Sequence, residues 1–267
     1  MASTGDGKLM ILDKYTLSGS VAIVTGAGQG IGKAIALAFA ELGCKVVCSA
    51  RTQQDIDETS NQINELYGEN RSVAVASDVT QEADRRRLVD AAISAYGRVT
   101  HLVNTVGGGR PSSAEDLSFE ELNQAFNYNV TSAFHLSQLC FDSMKTEGHG
   151  NIINVSSAAA KLIQRNFAAY ATVKAGLEHL TRNLAQDLAP HIRVNAIAPG
   201  PIATSALERA TTVEMRDYMA SKTPLQRIGN VDDIASAACF FATDASSWIT
   251  GQILAVDGGA ESPLFNQ

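Results

Sequence analysis

The sequence predicts a single α/β domain built on a doubly wound parallel sheet of about seven strands, with helices on both faces. Short apolar runs, partly β-branched, alternate with helical patterns from residue 20 to residue 256 without a linker or a repeat. The first of these runs ends in a glycine-rich turn that opens a helix. Small and polar residues also gather where the strands end, the edge at which such sheets bind ligands. Residues 1–14 read as a loose, polar extension, and residues 15–267 as the domain itself.

Ser20 to Thr25 runs straight into Gly26-Ala27-Gly28-Gln29-Gly30-Ile31-Gly32. A helix over Lys33 to Leu42, stopped by Gly43, and a buried strand from Lys45 to Ala50 complete a unit of the dinucleotide-binding, Rossmann type. Its glycines let the backbone approach a pyrophosphate, whose charge the N–H groups opening the helix can meet. Next come a helix Gln54–Tyr67, a strand Ser72–Ser77 and the pair Asp78-Val79. A helix Gln81–Tyr96 follows, then a strand Thr100–Asn104 leading into Val106-Gly107-Gly108-Gly109. One long helix is predicted over Ser118–Glu147, followed by a strand Asn151–Val155 that closes on Ser156-Ser157. The helix carrying Tyr170 reaches about Leu188, where Pro190 stops it, and a strand Ile192–Ala198 ends in Pro199-Gly200. Asn230 caps a helix through Phe241, with Asp233 as a weaker capping-box partner, and the strand Gln252–Val256 comes last.

With 45% hydrophobic and 18% charged residues, the chain can build a sizeable core and is not disordered. A net charge of −7 argues against a nucleic-acid partner or an anionic membrane surface. Cys44, Cys48, Cys140 and Cys239 form no C-x-x-C pair and read as reduced thiols, two of them in or beside a strand. The five histidines show no metal-ligand spacing, so no metal is expected. With no signal-peptide core and no membrane-length apolar run, the expected location is cytoplasmic.

Tyr170 and Lys174 stand four residues apart, on one face of their helix. An ammonium group beside a phenol favours the phenolate, which suits the pair to passing a proton to or from a substrate oxygen. The spacing is common on helices, so its meaning depends on the residues at the other strand ends: Gly26, Ala50, Asp78, Asn104, Ser157 and Pro199.

Taken in order, these motifs resemble a short-chain dehydrogenase/reductase from about Tyr15 to Gly259. The turn from Thr25 to Gly32 matches TGxxxGIG, which brings Gly26, Gly28, Gln29, Gly30, Ile31 and Gly32 to the cofactor. Asp78-Val79 matches the adenine-side pair, and Tyr170 and Lys174 match YxxxK, with Ser157 thirteen residues before the tyrosine. Asn129 matches the asparagine of the long central helix, and Pro199-Gly200 with Ile202 and Thr204 matches the segment that grips the nicotinamide. Asn104 and Gly107 keep the outer residues of the usual NNAG turn, while Thr105-Val106 depart from it. The resemblance implies that Tyr170 is the general acid/base, and that Lys174 lowers its pKa and holds the nicotinamide ribose. It further implies that Ser157 hydrogen-bonds the substrate oxygen and that Asn129 holds a water on the proton path. It also suggests a homotetramer built on the Ser118–Glu147 and Tyr170–Leu188 helices and the last strand.

Where an acidic residue at the end of the second strand would select NAD(H), this chain has Ala50, then Arg51-Thr52, so NADP(H) is expected. Within the family, Val106 to Gly109, Phe134 to Leu139 and Ser247 to Leu254 resemble bacterial 7α-hydroxysteroid dehydrogenases. The expected substrate is therefore a small molecule, a hydroxysteroid such as a bile acid. Ala158 to Phe167 would face its rings, and Lys161 or Arg165 its carboxylate tail. A 3-oxoacyl-carrier-protein reductase or another carbonyl reductase is the alternative enzyme, and a non-catalytic NADP(H) sensor or scaffold the alternative of another class.

Overall fold

Branched apolar residues form strands that bury both faces. In the computed structural model, which describes residues 10–261, they make one parallel sheet. Its strands are β1 Val21–Thr25, β2 Lys45–Ala50, β3 Ser72–Ala76, β4 His101–Asn104, β5 Gly150–Val155, β6 Ile192–Pro199 and β7 Ile253–Val256. They lie in the order β3-β2-β1-β4-β5-β6-β7, every neighbouring pair parallel. All residues of β1, β4 and β5 are buried, which requires helices over both faces.

The helices are α1 Gly30–Glu41, α2 Gln53–Tyr67, α3 Glu82–Tyr96, α4 Phe119–Phe126, α5 Ser132–Thr146, α6 Ala168–Leu188, α7 Ser205–Ala210, α8 Val213–Lys222 and α9 Val231–Ala242. Ile35 and Phe39 of α1, Ile56 and Ile63 of α2 and Phe241 of α9 form the core on one face. Leu88 of α3, Leu136 and Met144 of α5 and Leu184 of α6 form it on the other. Each such side chain contributes about 1.5–3 kcal/mol when fully buried. The strand order reverses between β1 and β4, so the crevice that accepts ligands opens at the carboxyl ends of these two strands.

Most elements agree with the sequence reading to within a residue or two. The capping box of Asn230 and Asp233 is formed, with hydrogen bonds of 2.9 and 2.8 Å. Helix α1 starts three residues earlier than predicted, because Gly30 and Gly32 lie inside its first turn.

Two differences bear on function. The predicted Ser118–Glu147 helix is divided into α4, a π-helical turn Asn127–Thr131, and α5. Within that turn the Nδ2 of Asn129 donates to the Ala125 carbonyl at 2.9 Å, and a side chain that captures a carbonyl four residues back competes with the regular helical ladder. Helices α7 and α8 were not expected. They begin at Thr204 and Thr212, whose hydroxyls accept from the N–H of Leu207 and Met215.

Residues 1–9 of the expected N-terminal extension lie outside the described residues. Ile11–Lys14 forms a 3-10 turn packed against a second such turn at Asp244–Ser246. Cys44, Cys48 and Cys140 are buried, and burial pushes the Cys48 thiol up to about 11, so these act as small apolar fillers. Among the described residues, no helix is long and apolar enough to cross a membrane, and no cluster of potential ligands forms a metal site.

Candidate active site

The turn between β1 and α1 is built by close approach of backbone to backbone. A Cβ on Gly32 would fall 2.2 Å from the Gly26 carbonyl oxygen, and Gly26 and Gly30 hold φ of +64° and +58°. Helix α1 has no acidic residue in its first turn and no side-chain cap, which leaves its leading N–H groups to an anion. In front of it lies a cavity of about 410 Å³ lined by Gly26, residues 28–32, Arg51, Thr52, Asp78, Val79, Gly107 and Thr204. Twelve of the sequence-predicted cofactor residues therefore share one cleft.

Ser49, Ala50, Asp55, Ser77, Thr105, Val106, Tyr128, Ser205 and Ala206 also line this cavity. The hydroxyls of Ser49 and Ser77 are buried without a hydrogen-bond partner, as expected where a polar ligand completes the site. The cleft, its exposed N–H groups and these hydroxyls fit a dinucleotide. Only the position of Ser49 and Ser77 at the ends of β2 and β3 could have marked them in the sequence. Arg51 is exposed, and no described residue accepts a hydrogen bond from it. Across the cleft, Ser205 donates to Gln29 Oε1 at 2.9 Å, drawing the start of α7 over the glycine turn.

The catalytic candidates converge beside Gly107. Ser157, two residues past β5, caps the short turn Ala158–Ala160 by accepting from Ala159 N at 3.1 Å, and its side chain neighbours the phenol of Tyr170. Lys174, one turn along α6 from Tyr170, is buried and donates to the Val155 carbonyl at 2.9 Å. Its Nζ lies 5.8 Å from the centre of the Tyr170 ring. Asn129 is fully buried and exchanges hydrogen bonds of 2.9 and 3.0 Å with the backbone of Gly108. A Cβ on Gly107 would lie 2.6 Å from Lys174 Nζ and 2.7 Å from Asn129 Oδ1, so the asparagine and lysine meet across this glycine.

Electrostatics modify the sequence reading. Burial pushes the Tyr170 phenol above its ordinary value, and the hydrogen bond from Ser157 opposes this. The lowering expected from Lys174 is not among the causes acting on the phenol, and burial pulls the lysine itself down to about 8.

Other predicted residues do not line this cleft. Asn104 aims its amide into the sheet, donating to Asn154 Oδ1 at 2.9 Å, while Asn154 donates to Thr181 at 2.9 Å. Its side chain ties β4 to β5. Ile202 pairs with Gly229 and lines a second cavity of about 470 Å³, together with Arg227 and Asp257. Pro199 and Gly200 line neither cavity; Gly200 lets the end of β6 pass close to Asp257. The altered turn has a clear consequence. Thr105 donates its hydroxyl to the Thr25 carbonyl and its N–H to Thr25 Oγ1, latching β4 to β1 above Gly26.

A family model described as enoyl-(acyl carrier protein) reductase matches residues 26–261. Over 253 residues the chain is 43% identical to the 7α-hydroxysteroid dehydrogenase of Escherichia coli (strain K12), covering 94% of this chain and 98% of that protein. It is 33% identical over 244 residues to a 3-oxoacyl-acyl-carrier-protein reductase of Thermotoga maritima, covering 91% of this chain and 98% of that protein. Among solved structures, a 7α-hydroxysteroid dehydrogenase complexed with NADH and 7-oxo glycochenodeoxycholic acid matches with a TM-score of 0.92 at 42% identity. That match covers 96% of this chain and 100% of the other. The chain belongs to the short-chain dehydrogenase/reductase family, oxidoreductases that bind a nicotinamide cofactor.

Proposed function

We propose that the protein is an NADP(H)-dependent oxidoreductase that interconverts a secondary alcohol and a ketone, with a hydroxysteroid such as a bile acid as substrate. The observation that carries this reading is Tyr170 with buried Lys174 5.8 Å from its ring centre and Ser157 beside its phenol, next to the dinucleotide cleft. The nicotinamide, when bound, supplies or accepts the hydride. Tyr170 gives or takes the proton at the substrate oxygen, and the Ser157 hydroxyl donates to that same oxygen as charge develops on it. Lys174 holds the ribose and supplies positive charge beneath the phenol. Asn129, anchored on Gly108, holds a water that extends the proton path from the lysine.

The similar steroid dehydrogenase structure holds NADH. The choice of NADP(H) over NAD(H) therefore rests on Ala50 and Arg51 of this chain, where a guanidinium replaces the carboxylate that would hydrogen-bond a ribose. We assign the protein to the cytoplasm as a homotetramer. Exposed Phe119, Phe126 and Phe134 around α4 and α5, and Trp248 and Leu254 beside and within β7, supply apolar contact surface for such an assembly.

A second reading, reduction of a 3-oxoacyl group on a carrier protein, is favoured by the Thermotoga relative and opposed by the net charge of −7, which repels an acidic carrier. The deciding experiment incubates the protein with cholate and either NADP+ or NAD+, and separately with an acetoacetyl thioester and NADPH. Oxidation of cholate, faster with NADP+, is the expected result. Thioester reduction without oxidation of any 7α-hydroxy bile acid would replace the steroid reading with the second one.

A further inference from the structure

Three consecutive glycines follow β4, and each touches a different part of the proton-handling set. Gly107 faces Lys174 and Asn129, and Gly108 holds the Asn129 amide. Gly109 lies against Tyr170: a Cβ there would fall 2.7 Å from the Tyr170 Cβ, 2.8 Å from its Cδ2 and 3.0 Å from its Cγ. The backbone of Gly109 is outside the left-handed region, so conformational freedom does not explain a glycine at this position. Space does. The crowded atoms are the base of the tyrosine side chain, which cannot swing clear as the tip of a lysine can.

The loop cannot easily withdraw either. It is fastened on one side by the Gly108–Asn129 pair, and on the other by Ser112 N donating to the Asn166 carbonyl at 2.7 Å. Phe167 packs its ring edge-on to Tyr170 at 6.3 Å between centroids. We infer that Gly109 is a positioning residue: its bare backbone sets the orientation of the Tyr170 ring, and so the line between the phenol, Ser157 and the substrate oxygen. It extends the functional turn past Gly107, so that one loop registers Asn129, Lys174 and Tyr170 together.

This inference rests on Tyr170 as the proton carrier, and the test separates the two. Gly109→Ala is compared with wild type in kcat and KM, and in affinity for NADPH by fluorescence titration. Both proteins are also followed in a tyrosinate absorbance titration from which the matching Tyr170→Phe background is subtracted. The expected result is a kcat lower by ~10-fold or more, since a displacement of ~1 Å can cost ~10²-fold. Cofactor affinity stays within about twofold, because binding and chemistry are separable, and the Tyr170 titration midpoint moves. An unchanged midpoint would overturn the inference, as would a wild-type kcat in the variant. A wild type that reduces no ketone defeats the proton-carrier reading, while a shifted midpoint still supports the Gly109–Tyr170 contact. Should Gly109→Ala fail to fold, the double variant Gly109→Ala/Tyr170→Gly removes the crowded side chain and is expected to melt like Tyr170→Gly alone. Failure of that double variant to fold would also overturn the inference.

Discussion

Lys174 sits with its Nζ 5.8 Å from the centre of the Tyr170 ring, yet gives its hydrogen bond to the Val155 carbonyl at 2.9 Å. The lysine is held under the tyrosine by the end of β5, so the pair is arranged before any ligand arrives. Such preorganisation has a cost, because a buried ammonium loses its hydration.

That cost is measurable through pH. Burial brings Lys174 from 10.5 down to about 8 in the folded protein. Between these values the unfolded chain binds the proton and the folded protein does not, so raising the pH through this window stabilises the fold. Below about 8 both states are protonated and the penalty is present in full. Thermal melts of wild type and Lys174→Met at about pH 7 and about pH 10 should show wild type gaining on the variant as pH rises. A constant difference would mean that Lys174 is not held at a depressed pKa.

Cofactor choice depends on the end of β2. Ala50→Asp combined with Arg51→Ser should move preference from NADP(H) toward NAD(H) by more than ~10-fold, since a charged hydrogen bond is worth ~1.5–3 kcal/mol. Fluorescence titration with both reduced cofactors measures the shift. A wild type that already binds NADH more tightly would show that Arg51 does not read the 2′-phosphate.

The substrate tail is the most exposed part of the proposal. Lys161 and Arg165 are both exposed on the segment after Ser157, and Ile163 between them is 89% exposed. Leu162 packs instead against the cluster of Met219 of α8 and Ala260, which Leu207 of α7 also joins. Cholate should outperform its methyl ester in wild type and lose that advantage in Lys161→Ala/Arg165→Ala. Exposed pairs contribute only ~0–1 kcal/mol, so the advantage to be lost is about fivefold at most. An unchanged acid-to-ester ratio would remove both side chains from substrate binding.

What the sequence revealed and what it concealed divide along physical lines. The glycine turn, the Tyr170–Lys174 spacing and the Asn230–Asp233 box are local, and all of their partners lie within one or two turns of chain. The π-turn at Asn129 was hidden because the amide that captures the Ala125 carbonyl is also bonded to Gly108, twenty-one residues away and outside the helix. The sequence places Asn104 at a strand end but does not show that β4 and β5 pair it with Asn154, to which its amide donates. Helices α7 and α8 are short, and residues 202–224 show little periodicity; their threonine caps were the available signal. The Thr105 hydroxyl found its acceptor on β1 only because the sheet places β1 next to β4.

The most direct measurement is the turnover of purified Tyr170→Phe beside wild type, on cholate with NADP+, with circular dichroism to establish that both are folded. Phenylalanine keeps the ring, its contact with Gly109 and its edge-on packing with Phe167, and removes only the group that carries the proton. Turnover is expected to fall by ~10²-fold or more with cofactor affinity unchanged. Turnover close to that of wild type would contradict the assignment of Tyr170 as the acid/base, and with it the mechanism proposed here.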